Sequence, residues 1–197
     1  MGRGVRASTK AREDIFLETK IWPCFYQSES AVDETLERLD TDYIDLLLLH
    51  QYAGDIKAGY CHLEEAYKAG KVRAIGVSNF TVEELSNLID ECEVIPALIQ
   101  VECHPYFPQT ELKKLLAKHN IALQAWYPLG GRGNDSIMGE PVVVELAEKY
   151  GKSPAQIATL DKGDPIFHRT SSTAPLTSRS SSPLTSLTLT ARSKNTL

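Results

Sequence analysis

The sequence predicts an α/β fold on parallel strands, an open sheet or a barrel, and three observations carry that prediction. The first is the run Ile44-Asp45-Leu46-Leu47-Leu48-Leu49, stopped by His50. Four consecutive leucines cannot alternate between a core face and a solvent face, so the strand they form is buried on both sides, as in parallel sheets covered by helices. The second is alternation: strand-like runs and helical patterns follow one another five times, as crossover-connected parallel sheets require. The third is spacing. Lys20, His50, Ser78-Asn79, Gln100 and Trp126 fall at or just past the carboxyl ends of successive strands, at intervals of 30, 28, 22 and 26 residues. A (β/α)8 barrel spends about 31 residues per unit. In both architectures ligands bind at those carboxyl ends, so the five positions are candidate site residues.

Each element has its own local reason. Ile15–Lys20 reads as a strand, closed beyond Trp22 by Pro23. Val32, Leu36 and Leu39 recur at helical spacing with charged residues between them, an amphipathic helix. After the Ile44–Leu49 strand, a helix carrying Leu63, Ala66 and Tyr67 stops at Gly70, because glycine takes the left-handed conformation at a helix end without steric cost. Val72–Val77 reads as the next strand, and Thr81-Val82-Glu83-Glu84 as a capping box opening a helix through Leu85, Leu88 and Ile89. A strand at Ala97–Val101, a helix through Leu112, Leu115 and Leu116 ending near Asn120, and a strand at Ile121–Ala125 follow. Pro141 opens a further helix that Gly151 closes, and Ser153-Pro154 starts one more through Ile157.

Composition limits what the chain does. With 197 residues, 42% of them apolar, it can bury one good core. A net charge of −5 and no long basic block leave no electrostatic footprint for nucleic acid. Cys24, Cys61, Cys92 and Cys103 have no paired spacing, which suggests neither a disulfide framework nor a metal site and fits reduced thiols in the cytoplasm. Cys103 and His104 look metal-like in isolation but lack partners at zinc spacing. No run near 18 apolar residues and no signal-peptide core is present, so neither membrane insertion nor secretion is expected.

Five segments carry a resemblance. Glu18-Thr19-Lys20, Leu39 through His50, Gly70 through Phe80, Gln100-Val101-Glu102-Cys103-His104-Pro105-Tyr106 and Trp126-Tyr127-Pro128-Leu129-Gly130 resemble, in order and spacing, successive signatures of the aldo-keto reductases. The likeness covers about residues 3–158, and the short loop Gln51–Asp55 after the histidine resembles the diketogluconate-reductase-like branch. It implies a partial (β/α)8 TIM barrel retaining about five parallel strands with helices, and NADPH-dependent (NADPH/NADP+) reduction of a small aldehyde or ketone. In that chemistry negative charge develops on the carbonyl oxygen and must be stabilised and protonated. The resemblance makes Lys20 the cation that acidifies the general-acid tyrosine and His50 the residue that orients the substrate carbonyl, with Trp22 beside it in substrate binding. It assigns the nicotinamide carboxamide to Ser78, Asn79 and Gln100, ring stacking to Trp126, and approach to the pyrophosphate to the Pro128-Leu129-Gly130-Gly131 loop. No metal is implied, and a monomer is expected for the family.

Two departures shape the expectation. The general-acid tyrosine and its aspartate belong well ahead of Lys20, before which the chain has nineteen residues; both are expected to be missing. Tyr26 and Tyr43 are not substitutes by position. Composition also changes abruptly at Thr159: from Thr170 onward 15 of 28 residues are Ser or Thr, with no acid and no aromatic. Such a segment cannot bury enough surface to offset its ordering entropy. The domain reading is therefore an incomplete barrel over 1–158 and a disordered or frameshifted tail over 159–197, without the basic loop that grips the adenosine 2′-phosphate. A five-strand barrel cannot close, and its open edges invite aggregation. Loss of the general acid costs about 10²–10⁴ in rate, so little or no activity is expected. A non-catalytic nucleotide-binding or regulatory relative, and a non-functional fragment, are the other readings left open.

Overall fold

A computed structural model of the chain describes residues 1–130 and 137–159. The tail from residue 160 onward, and Gly131 of the glycine loop, lie outside the described residues. The strands form a five-stranded sheet in chain order, β1 (Glu18–Ile21), β2 (Leu46–Leu49), β3 (Ile75–Ser78), β4 (Leu98–Glu102) and β5 (Ala122–Trp126). The described residues divide into two compact units, 1–76 with 92–94, and 77–91 with 95–130 and 137–159.

In the first unit a short helix α1 (Gly2–Arg6) precedes β1, and α2 (Ala31–Leu39) carries the chain from β1 to β2. These two strands pair in parallel, with Glu18 opposite Leu46 and Ile21 opposite Leu49. Leu47, Leu48 and Leu49 are each 0% exposed, so the leucine run is covered on both faces, and each such side chain contributes about 2 kcal/mol of burial. The left-handed Asp40 (φ 54°) closes α2, and the Asp55 carboxylate accepts the Ala58 amide to start α3 (Ile56–Lys68). Gly70 (φ 76°) turns the chain after α3.

At the amino ends of these strands Asp45, 6% exposed, accepts the Leu17 amide at 2.9 Å and pairs with Arg12 at 3.0 Å and Arg73 at 3.1 Å. The Tyr43 ring lies between the two guanidinium groups, each 3.9 Å from its centroid.

The second unit holds the end of β3, then α4 (Val82–Glu91), β4, α5 (Thr110–His119), β5, α6 (Pro141–Tyr150) and α7 (Pro154–Ala158). Strands β4 and β5 are parallel, with Gln100 opposite Gln124 and Glu102 opposite Trp126. The capping box at α4 is formed: the Thr81 amide donates to Glu84 at 2.7 Å, and the Glu84 amide to the Thr81 hydroxyl at 3.3 Å. Ser153 and Gln156 build a second one at α7. Asn120 (φ 55°) and Gly151 (φ 60°) end α5 and α6 in the left-handed region.

Strand starts differ from expectation. The segment expected to begin β1 at Ile15 follows a 3-10 turn at Arg12–Asp14 and stays irregular through Leu17, whose amide goes to the Asp45 carboxylate rather than to a ladder partner. Regular pairing therefore starts at Glu18. Val72 was expected to open β3, yet it makes only an isolated bridge to Ile44 while Arg73 turns to Asp45; the strand begins at Ile75. Likewise Ile44 stays outside β2, and β4 and β5 each start and end one residue later than expected.

Candidate functional site

The first unit places Lys20, Trp22 and His50 together. Side chains two apart on a strand share a face, and paired residues share it across the ladder. Lys20 pairs with Leu48, so Lys20, Trp22 and His50, two residues past each of them, follow the same parity. The Trp22 ring meets the imidazole of His50 edge-on, with centroids 4.2 Å apart and planes at 68°. The His50 amide donates to the Ile21 carbonyl at 3.0 Å, which extends the ladder past the strand.

Burial pushes the Lys20 ammonium below its usual pKa, and Glu18 opposes that effect. His50 is also lowered from 6.5, first by burial and then by the Lys20 charge. The imidazole is consequently neutral at pH 7, with one N–H to donate and one lone pair to accept.

The second unit gathers Ser78, Asn79, Gln100 and Trp126. Ser78 ends β3 at 0% exposure, and its hydroxyl has no hydrogen-bond partner among the described residues. Asn79 follows in the left-handed region (φ 61°), with its amide donating to the Gln100 carbonyl at 2.9 Å. Its Oδ1 accepts the Trp126 indole N–H at 2.8 Å, which fixes the plane of the indole. Gln100 does not stand at the end of its strand as expected: it is third of five, and its Nε2 donates to Gln124 Oε1 at 2.5 Å. Beyond Trp126, Tyr127 (φ 62°), Pro128, Leu129 and Gly130 (φ 63°) make a tight turn closed by the Gly130 amide on the Tyr127 carbonyl at 3.0 Å.

Sequence reasoning missed Gln124, whose only sequence signal is its place two residues before Trp126 on one strand face. It also missed the bracing at the end of β4. There His104 Nε2 meets Glu102 Oε1 at 3.1 Å, and Gln109 donates to the Glu102 carbonyl at 2.8 Å. His104 and the buried Cys103 thus sit as loop residues, and no group of three His, Cys, Asp or Glu among the described residues could hold a metal. No described helix is long and apolar enough to cross a membrane.

The second unit thus brings together a buried hydroxyl without a partner among the described residues, two amide side chains and an indole of fixed plane. A carboxamide offers one acceptor and two donors, which a buried, unpartnered hydroxyl beside two amide side chains can satisfy, while an indole of fixed plane offers a stacking face.

Comparison with known proteins resolves the lineage. The model of the aldo/keto reductase family matches residues 1–136. The chain belongs to the aldo/keto reductase family. An aldo-keto reductase of Mycolicibacterium smegmatis is 41% identical over 166 residues, covering 79% of this chain and 58% of that protein. A methylglyoxal reductase, DkgA, of Salmonella typhimurium is 38% identical over 165 residues, covering 80% of this chain and 58% of that protein. The chain thus spans 58% of the length of these two curated relatives. The crystal structure of an aldo/keto reductase from Brucella melitensis matches with a TM-score of 0.72 at 38% identity, covering 80% of this chain and 62% of that one. That likeness, with five strands ordered along the chain, bears out the expected partial barrel of an aldo/keto reductase.

Proposed function

We propose that this chain binds NADPH and belongs to a machinery that reduces small aldehydes and ketones to alcohols, with Lys20 and His50 as its catalytic residues. The observation that carries the reading is the Ser78 hydroxyl, fully buried and without a partner among the described residues, beside the Asn79 amide. Ser78, Asn79 and Gln100 would hold the carboxamide, Trp126 would stack on the ring, and the backbone of Pro128, Leu129 and Gly130 would approach the pyrophosphate. When bound, the reduced nicotinamide supplies the hydride for the carbonyl carbon.

The chain's own residues do the rest. His50 donates an imidazole N–H to the substrate carbonyl oxygen, where negative charge develops. Trp22, 48% exposed and packed on that imidazole, forms an apolar wall for the substrate. Lys20 adds positive charge beside His50. The Tyr26 phenol is not offered to that oxygen, because its hydroxyl is engaged by the Gln51 backbone. The expectation for this chain is cofactor binding with turnover close to background. The free thiols of Cys24, Cys61, Cys92 and Cys103 suit the reducing cytoplasm.

The test is titration of intrinsic tryptophan fluorescence with NADPH, followed by NADPH oxidation with methylglyoxal. Saturable quenching is expected, weakened about 10-fold by Ser78→Ala, the size of one lost buried hydrogen bond. Absence of quenching, or equal affinity in Ser78→Ala, would refute the assignment. Turnover clearly above a Lys20→Met control would overturn the expected near-background rate.

A further inference from the structure

The turn after β1 contains a buried tyrosine that the chemistry above leaves unused. Tyr26 is 1% exposed. Its hydroxyl donates to the Gln51 carbonyl at 2.9 Å and accepts the Gln51 amide at 3.1 Å. Both backbone polar groups of the residue after His50 thus end on one phenol. Burial raises the pKa of that phenol, with its backbone hydrogen bonds to Gln51 and His50 acting the other way, so it stays protonated and can donate throughout the physiological range.

The rest of the turn supports the same contact. Gly59 on α3 has no side chain to obstruct the ring: a Cβ there would lie 2.8 Å from Tyr26 Cβ and Cγ. His62 Nδ1 lies 3.1 Å from the Tyr26 carbonyl, and Gln27 donates to Asp55 at 3.3 Å. Gly54 takes φ 69°, with the Pro23 carbonyl 3.0 Å from where its Cβ would be. Residues 50–55 form no helix or strand, so their path depends on these ties.

We infer that Tyr26 is a positioning residue for His50: by clamping both backbone groups of Gln51 it sets the direction of the imidazole against Trp22. Trp22 and Tyr26 flank one short turn, Pro23–Phe25. One of them holds the His50 ring and the other holds the peptide that follows it. The hydroxyl cannot double as a proton donor to substrate, because its hydrogen already serves Gln51. This inference rests on reading His50 as the residue that meets the substrate carbonyl, but its test needs neither cofactor nor turnover.

The experiment is an NMR titration of the His50 imidazole in the full chain, assigned with His50→Gln, and repeated in Tyr26→Phe and Tyr60→Phe. Tyr60 is the control, a buried tyrosine of the same unit whose hydroxyl donates to the Val94 carbonyl at 2.9 Å rather than to the loop after His50. In Tyr26→Phe the midpoint should rise toward 6.5, because a loosened loop restores solvent to a ring otherwise lowered by burial and by Lys20. The Trp22–His50 cross-peaks should weaken with it. Tyr60→Phe should change stability without moving the midpoint. An unmoved midpoint in Tyr26→Phe, or an equal move in Tyr60→Phe, overturns the inference. Should Tyr26→Phe fail to fold, amide exchange in the unmodified chain decides. Protection of the Gln51 amide by about 100-fold or more is expected, and exchange at the free-peptide rate overturns it. Absence of saturable NADPH quenching would remove the proposed function while leaving these outcomes unchanged.

Discussion

Replacing Asp45 tests the idea that the amino ends of the strands are held by charge. The carboxylate is 6% exposed and takes three donors, the Leu17 amide and the Arg12 and Arg73 guanidinium groups. Removing one partner of a buried pair costs about 3–5 kcal/mol when the remaining charge is stranded. Here the charges left behind are unequal. The Arg73 side chain is 51% exposed and regains water, whereas that of Arg12 is 21% exposed and keeps its bonds to the Ile15 and Tyr43 carbonyls. The Arg73 pair therefore counts as a screened surface contact of about 0–1 kcal/mol. The amide of Leu17, bonded to a charged acceptor, adds about 1.5–3 kcal/mol. Asp45→Asn, which keeps one acceptor, should cost about 2 kcal/mol, and Asp45→Ala about 3–4 kcal/mol. With a urea slope of about 2 kcal/mol per molar, the midpoint falls by about 1 M in Asp45→Asn at unchanged slope. NADPH affinity should stay the same in both variants, since Asp45 is not among the residues proposed to hold the cofactor, Ser78, Asn79, Gln100 and Trp126. A loss below about 0.5 kcal/mol in Asp45→Ala would refute the claim that this carboxylate anchors β1 to β2.

Three further outcomes follow. Glu64 accepts the Glu93 and Val94 amides on one oxygen at 2.7 and 2.8 Å; Glu64→Ala should destabilise by about 2 kcal/mol and Glu64→Gln by much less, measured by urea denaturation. His50 is lowered from 6.5 in the folded chain, so the unfolded chain binds the extra proton between that lowered pKa and 6.5. Stability therefore falls as pH drops below about 6.5, and thermal midpoints across pH should show this loss in the wild type and not in His50→Gln. Gly59→Ala drives a Cβ to 2.8 Å from Tyr26; it should cost about 1–3 kcal/mol by the same urea assay, and a neutral result would mean the ring moves freely.

The elements that were legible in the sequence are those written by local chemistry. Thr81 with Glu84, Pro141 and Gly151 act within one turn of the chain, and each marks the helix end it was expected to mark. The leucine run fixes its own burial, because no face of it tolerates water. The strand starts were not legible for a long-range reason: Leu17 and Arg73 give their donors to Asp45, a partner 28 residues away from each, and no window of sequence around Ile15 or Val72 records that. In the candidate site, the placing of Lys20 and His50 at successive strand ends could be read from the sequence, whereas Trp22 came only with the resemblance. Gln124 and the Tyr26–Gln51 clamp could not be read, because each depends on which residue lies opposite across the sheet or loop; the Glu102–His104 pair is local, but it forms where the chain bends back at the His104–Phe107 bridge.

The leucine run also poses a register problem that its ends resolve. A strand with one apolar face is locked by its alternation, since a one-residue slip would expose the core side. β2 has no such lock: Leu46, Leu47, Leu48 and Leu49 are alike and all buried, so a slip past β1 would change little in hydrophobic burial. It would nevertheless turn His50 to the opposite face from Lys20. The polar residues that flank the run supply the missing specificity. Asp45 binds Leu17, Arg12 and Arg73 at one end, and Gln51 is held by Tyr26 at the other. Moved by one residue, which is about 3.3 Å along the strand, neither end could keep those bonds. The same two pins that stabilise the first unit thus determine which face of the sheet receives the histidine.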